Sequence, residues 1–252
     1  MLKNQTVLVT GGAGKIGSAF CKGIINNGGK VIIGDISREQ GMTLEENIQS
    51  NDAVFIEVDT SNIESIKNLI EVGENHFKKI DSAVHCAYPT SSQWGTRFEE
   101  IEAESLSKDL FSQLGGAILF SQQIISYFRE QGGGHLVHIA SIHGISAPKF
   151  EHYEGTDMTS PIEYTAIKSG IVAITKYLSK YCKGENIRVN AISPGGILDN
   201  QPADFLRRYT ESSNSKGMLN SEDIVGTLIF LLSSQSQFIN GQNIIIDDGW
   251  SL

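Results

Sequence analysis

Cysteine is scarce in this 252-residue chain. Its three thiols, Cys21, Cys86 and Cys182, are odd in number and far apart, which argues against a disulfide framework. Positive charge is also short: 20 Lys and Arg against 29 Asp and Glu give a net charge of −9. That balance repels phosphate backbones and speaks against a nucleic-acid partner. Long apolar runs are missing, the longest lying around Val225–Leu232, far too short to cross a bilayer. The opening Met1-Leu2-Lys3-Asn4-Gln5 runs into a strand pattern without the hydrophobic stretch or cleavage site of a signal peptide. Metal-ligand spacing is absent as well. His135 and His138 sit three apart on one strand, hence on opposite faces, and none of the other histidines pairs at ligand spacing. No internal repeat, low-complexity segment or compositional shift marks a linker. The expectation is one domain, residues 1–252, in a reducing, cytoplasmic compartment, with no metal, nucleic acid or membrane partner.

What the chain has is glycine, 26 residues of it, placed at the ends of short apolar runs. Seven runs rich in β-branched residues predict strands over Thr6–Thr10, Lys30–Gly34, Ala53–Val58, Ser82–Cys86, His135–Ala140, Arg188–Ser193 and Asn243–Asp247. Most are apolar on both faces, as in a parallel sheet buried on both sides. Between them the pattern predicts helices over Lys15–Asn27, Ser37–Ser50 with a capping Ser37, Ser61–Phe77 with a capping box from Ser61, Glu104–Gln131, Ser160–Lys183 and Ser221–Ser233. Strict alternation implies right-handed βαβ units in a doubly wound α/β sheet. Two polar, irregular segments, 144–159 and 199–218, exceed ordinary connections and follow strand C-termini, where such sheets bind ligands, which makes them the candidate substrate loops.

The first strand runs into Gly11-Gly12-Ala13-Gly14-Lys15-Ile16-Gly17 and then a helix. Small residues let backbone approach a pyrophosphate, and the helix N-terminus offers unpaired N–H groups. Asp35 ends the second strand 18 residues beyond Gly17, placed to accept from adenosine ribose hydroxyls and to repel a 2′-phosphate. The spacing therefore predicts NAD rather than NADP. Lys15 either meets phosphate or is a solvated first-turn side chain. Asp59 either contacts the adenine or caps the next helix.

Tyr164 and Lys168 lie four apart and share one face of a predicted helix. An ammonium beside a phenol stabilises its phenolate, the tuning that proton exchange with a substrate hydroxyl needs. Two surface residues at helical spacing are the alternative. Ser141 ends a strand and either binds a substrate oxygen beside Tyr164 or makes a turn. His143 and His152 line a substrate cleft or lie on the surface. Trp94 and Trp250 are a substrate platform and a subunit contact, or packing. Cys86 reads as a small buried residue near the cofactor, since no partner base is identifiable.

These residues resemble the short-chain dehydrogenase/reductase family over nearly the whole chain. The resemblance rests on T-G-G-A-G-K-I-G at Thr10–Gly17, Asp35, Asp81–Ala87, Ser141, Tyr164 with Lys168, I-R-V-N-A-I-S-P-G at Ile187–Gly195, and I-N-G-Q-N-I-I-I-D-D-G at Ile239–Gly249. It implies a Rossmann-like sheet in the order 3-2-1-4-5-6-7 and hydride transfer between nicotinamide and a carbinol or carbonyl carbon. Ser141, Tyr164, Lys168 and Gln113 are then the catalytic set, Lys168 also gripping the nicotinamide ribose. The cofactor contacts it implies are Gly11, Ala13, Gly14, Lys15, Ile16, Gly17, Asp35, Ile36, Asp59, Thr60, Cys86, Ala87, Tyr88, Ile139, Tyr164, Lys168, Pro194, Gly195, Gly196 and Ile197. A homodimer or homotetramer packed through the C-terminal segment is implied too.

The chain departs from the family pattern at several points. Position 15 is lysine where compact members have glycine, and the G-x-x-G-x-x-G spacing resembles the extended, epimerase-type branch. His85-Cys86-Ala87-Tyr88 replaces Asn-Asn-Ala-Gly. Gln113 stands where a helix asparagine usually anchors a water of the proton relay, and Asp199 where a threonine is expected. Cys86–Thr96, Tyr153–Thr159 and Ser193–Pro202 are similar to bacterial oxidoreductases of flagellin glycosylation and sialic-acid-like (legionaminic or pseudaminic) sugar synthesis. That similarity implies a polar, sugar-like substrate, for which Arg207, Arg208 and Lys216 either meet a phosphate or are solvated charges. Two other functions stay open: an epimerase or dehydratase that retains NAD, and a dinucleotide-binding sensor without turnover.

Overall fold

The computed structural model describes residues 1–252. Its seven strands are β1 Thr6–Thr10, β2 Lys30–Asp35, β3 Ala53–Glu57, β4 Ser82–His85, β5 Gly134–Ile139, β6 Ile187–Pro194 and β7 Asn243–Ile246. They form one parallel sheet in the order β3-β2-β1-β4-β5-β6-β7. This is the Rossmann-like order, and each strand lies within two residues of its predicted ends. The helices are α1 Lys15–Asn26, α2 Arg38–Ile48, α3 Ile63–Phe77, α4 Ala103–Leu110, α5 Gly116–Gln131, α6 Ile162–Tyr181, α7 Ala203–Glu211 and α8 Val225–Leu232.

Alternate residues of each strand feed two cores. Val7, Val9, Val31, Ile33, Val84 and Val137 pack with Phe20 and Ile24 of α1, Leu44 of α2 and Leu228 of α8. Leu8, Ile32, Ile56, Ala83, Leu136 and Val189 pack on the other face with Leu69 of α3 and with Phe120, Ile124 and Phe128 of α5. Each fully buried side chain of this kind contributes ~2 kcal/mol of transfer free energy.

Three local readings of the sequence needed correction. Ser61 does not cap α3; Asn62 does, accepting from the N–H groups of Glu64 and Ser65 at 2.9 and 3.2 Å, while Ser61 turns back to Asp59. An Asn one residue on presents the same oxygen in the geometry the first turn needs. The predicted helix over Glu104–Gln131 is interrupted by a π-helical turn at Phe111–Gly115, which joins α4 to α5. Finally, 199–218 is not irregular throughout. Ala203–Glu211 is helical because Phe205 and Tyr209, four apart, bury one face of an otherwise charged segment.

Candidate active site

The C-terminal ends of β1, β2, β4, β5 and β6 open into one cavity of about 690 Å³. It runs from the glycine loop and Asp35 to Tyr164 and the segments after β5 and β6. Of the predicted contacts, Gly11, Gly14, Lys15, Ile16, Gly17, Asp35, Ile36, Asp59, Thr60, Cys86, Ala87, Tyr88, Ile139, Ser141, Tyr164, Lys168, Pro194, Gly195, Gly196 and Ile197 line it. Ala13 and the predicted catalytic Gln113 do not; the Ala13 N–H instead holds Asp35.

At the glycine loop the backbone conditions are strict. Gly11 has φ +67°, and a Cβ there would sit 2.7 Å from the Ala87 backbone; at Gly17 it would sit 2.0 Å from the Gly11 carbonyl oxygen. Gly14 is looser, with 3.3 Å to that same oxygen. No side chain caps α1, so its first-turn N–H groups face the cavity unclaimed. Across the loop, the Asp35 carboxylate is buried and accepts from Ala13 N at 2.9 Å and Ser37 N at 3.0 Å. This cradle of close backbone, free helix N–H groups and a fixed carboxylate fits the diphosphate and adenosine ribose of a dinucleotide. Asp59 lines the same end, its Oδ1 also accepting from Ser61 N and Oγ.

At the other end, α6 carries Tyr164 and Lys168 one turn apart. The Lys168 side chain is buried, its Nζ donating to the Ile139 carbonyl at 3.0 Å and lying 5.5 Å from the Tyr164 ring centroid and 5.3 Å from that of Tyr88. Burial lowers its pKa to about 8. Burial also raises that of Tyr164, opposed by a hydrogen bond with Ser141. The sequence predicts the opposite direction for Tyr164, through its lysine. Desolvation wins because the ammonium is turned to Ile139, leaving a neutral phenol. Ser141 Oγ also accepts from His143 N at 3.2 Å, so the turn and the site share one hydroxyl.

Gln113 sits on the π-helical turn, 3 % exposed, and neither atom of its amide has a protein partner. Three rings surround Tyr164 edge-on: Tyr88 at 5.7 Å, Trp94 at 6.1 Å and His143 at 5.8 Å between centroids. Burial lowers the His143 pKa, so this imidazole is neutral at pH 7. Burial drives the Cys86 thiol up to about 12, out of the range of a nucleophile.

Other candidates lie elsewhere. His152 does not line the cavity; it is buried and shares a hydrogen bond with Ser212 Oγ at 2.9 Å. Trp250 is 1 % exposed and stacks on Tyr209, which makes it core within this chain. Arg207 pairs with Asp204 and Glu211, Arg208 reaches the Glu151 and Glu154 carbonyls, and Lys216 pairs with Asp223. Arg207 braces its own helix α7, while Arg208 and Lys216 tie neighbouring surface segments together.

Two further residues position the site and were not singled out from the sequence. Asp109, 1 % exposed on α4, accepts from Ser91 N at 2.6 Å and Ser91 Oγ at 2.7 Å, pinning the segment that carries Tyr88 and Trp94. Tyr209 accepts at its hydroxyl from Gly196 N at 2.6 Å and fixes the turn after β6. The four-residue spacing of Phe205 and Tyr209 was the available signal for the second; nothing local marks Asp109.

A sheet of this order, with a glycine cradle at one end of its cleft and a Tyr-x-x-x-Lys helix beside a strand-end serine at the other, defines a class of dinucleotide-linked oxidoreductases. The chain belongs to the short-chain dehydrogenase/reductase family. A family model described as Enoyl-(Acyl carrier protein) reductase matches residues 11–251. Among curated relatives, the Post-translational flagellin modification protein A of Campylobacter coli is 41 % identical, covering 100 % of both chains. A probable galactose dehydrogenase of Rhizobium meliloti is 29 % identical, over 98 % of this chain and 95 % of its own. The crystal structure of a short chain dehydrogenase from Leptospira borgpetersenii with bound NAD+ superposes with a TM-score of 0.87 at 33 % identity, covering 100 % of this chain and 94 % of that one.

Proposed function

We propose that the protein is an NAD(H)-dependent oxidoreductase that interconverts a secondary alcohol and a ketone on a sugar-like substrate of surface or flagellin glycan synthesis. The observation that carries this reading is one cleft joining the glycine cradle and Asp35 to Ser141, Tyr164 and Lys168. The buried Asp35 carboxylate supports NAD over NADP, since a 2′-phosphate would meet a fixed negative charge. The flagellin-modification and galactose dehydrogenase relatives support the sugar class.

When bound, the dinucleotide supplies the hydride or accepts it. Ser141 Oγ donates to the substrate oxygen and Tyr164 Oη gives that oxygen its proton in reduction, the direction a neutral phenol suits. Lys168, held by Ile139 O, grips the nicotinamide ribose and offers positive charge beside the phenolate that remains. Gln113, buried on the π-helical turn with a free amide but outside the cleft lining, serves reprotonation only through an intervening water. Tyr88, Trp94 and His143 exclude water from the reacting carbon.

The protein acts as a single domain in the cytoplasm. No helix is long and apolar enough to cross a membrane, and the three cysteines are free. Association into a homodimer or homotetramer is supported by Phe111 of the π-helical turn, Ile118 of α5 and Tyr177 of α6, apolar side chains 57, 48 and 67 % exposed. The test follows NADH consumption with keto-sugars, sugar phosphates and nucleotide sugars, for the wild type and Tyr164→Phe. Turnover lost in the variant while NADH binding persists is the expected result. A wild type that binds NADH yet turns over none of the panel would remove the sugar assignment, and a preference for NADPH would remove the role of Asp35.

A further inference from the structure

Two departures from the family pattern meet at the mouth of the cleft. Lys15 replaces a glycine at the start of α1, and Asp199 replaces a threonine in the segment leaving β6. In the structure they are ion-paired, and Lys15 Nζ also donates to the Leu198 carbonyl at 2.9 Å. Both residues line the cavity. The contact joins the pyrophosphate end of the cleft to the segment beside the nicotinamide end.

That segment is otherwise tied only to its own side by the hydrogen bonds around it. Asp199 N donates to Gln201 Oε1 at 2.6 Å, and Gln201 Nε2 donates to the Ile197 carbonyl at 2.9 Å. Leu198 N donates to Leu219 O, and Leu219 N to Gly196 O, each at 2.8 Å. Residues 197–201 therefore form a stiff unit, which Lys15 fastens to α1. We infer that Lys15 and Asp199 are positioning residues that clasp the cleft over the dinucleotide and slow its release, an inference that rests on the dinucleotide reading above.

The pair is exposed, 44 % at Lys15 and 61 % at Asp199, so it opens without a large barrier. An exposed pair of this kind changes a release rate by about two- to fivefold and is weakened by salt. The competing arrangement, in which Lys15 leaves Asp199 and contacts the pyrophosphate, predicts a different sign. Removing the Asp199 charge would then free Lys15, take a negative charge from beside the phosphates, and tighten binding.

The experiment measures NADH dissociation by stopped-flow displacement and Kd by calorimetry, at low and at molar salt. The proteins are wild type, Lys15→Gln, Asp199→Asn and the charge-exchanged Lys15→Asp/Asp199→Lys. Under the clasp both single variants release NADH about two- to fivefold faster, and the exchanged pair returns to within about twofold of wild type. Wild type at molar salt approaches the singles, which themselves respond little. Slower release or tighter binding in Asp199→Asn overturns the clasp, as does an exchanged pair that releases as fast as the singles. A wild type that binds no NADH overturns the dinucleotide reading beneath it.

Discussion

Lys168 is a cation buried in the cleft wall, 7 % exposed. Burial lowers its pKa to about 8, from an ordinary value above 10. Below pH 8 the folded chain carries the cost of the buried charge and the unfolded chain does not. Between about pH 8 and 10.5 the folded state gives up its proton first, so this cost is relieved as pH rises. Lys168→Met is therefore expected to be more stable than wild type at pH 7 by ~1–2 kcal/mol, with the gain vanishing near pH 10, while activity is lost. Thermal melts at the two pH values check this, and equal gains at both would remove the buried-charge explanation. The rate of reduction should also decline above pH 8, as the ammonium beside Tyr164 is neutralised.

The glycine loop makes a second prediction at this scale. Gly17→Ala forces a Cβ into the Gly11 carbonyl and should cost ~3 kcal/mol or more, read as lost soluble protein or a lower denaturation midpoint. Gly14→Ala should fold within ~1 kcal/mol of wild type yet weaken NADH binding about tenfold, because the space it fills is the ligand's. The G-x-x-G-x-x-G spacing treats the three glycines alike. The structure separates them, since only backbone contact at 11 and 17 is obligatory within the protein.

Among the elements, the segment after β4 is held at Ser91 by the Asp109 carboxylate, with Ser105 Oγ sharing a hydrogen bond there and Thr159 Oγ1 donating to the Gly95 carbonyl further on. Asp109→Asn keeps one acceptor but loses the charge that binds both Ser91 donors. It should raise KM several-fold, with kcat changed less than about twofold, as Tyr88 and Trp94 lose their fixed places over Tyr164. A fall confined to kcat would assign Asp109 to the chemistry instead. The strands and long helices were legible in the sequence because period and glycine punctuation are local signals. The π-helical turn was not: Phe111–Gly115 has an ordinary helical composition, and it packs against α6, a tertiary contact that no local pattern announces. The cap of α3 shifted for a similar reason, since Ser61 and Asn62 both bear a suitable oxygen and only the entry angle of the chain chooses between them, whereas Ser37 caps α2 as predicted. Tyr164, Lys168 and Ser141 could be read because their spacing is fixed by an element. Asp109 contacts a segment 18 residues away, and no periodicity announces that.

At the level of the whole molecule, the sheet is threaded with histidines that must stay neutral. His85 pairs with Thr10 Oγ1 at 2.9 Å, and His138 with Ser121 Oγ and Thr175 Oγ1 at 2.9 and 2.8 Å. His135 lies against Arg188 at 3.0 Å. Burial lowers all three pKa values, that of His138 to about 3. Unfolded histidines protonate near pH 6.5, so stability is full above that value and falls as pH drops towards the folded pKa values. Three such groups together remove roughly 3–4 kcal/mol per pH unit once well below pH 6, enough to unfold a domain of ordinary stability between about pH 4 and 5. His138→Asn should move that acid midpoint down by a few tenths of a pH unit, measured by circular dichroism. No movement there or in His85→Asn would place the acid sensitivity in the carboxylates.

The two tryptophans stand at different depths beside the same cleft. Trp250 is sealed in the cluster with Tyr209, while Trp94 stands in the cavity wall beside Tyr164. A reduced nicotinamide in the cleft would sit within energy-transfer range of Trp94, and its absorption overlaps indole emission. Occupancy should therefore register as quenched tryptophan light and sensitised coenzyme emission. Trp250 is one ring further back, its centroid 5.9 Å from that of His143, which is itself 5.8 Å from that of Tyr164, so it lies within transfer range too. Trp94→Phe would lower the signal without abolishing it, and the protein comes with its own label-free reporter.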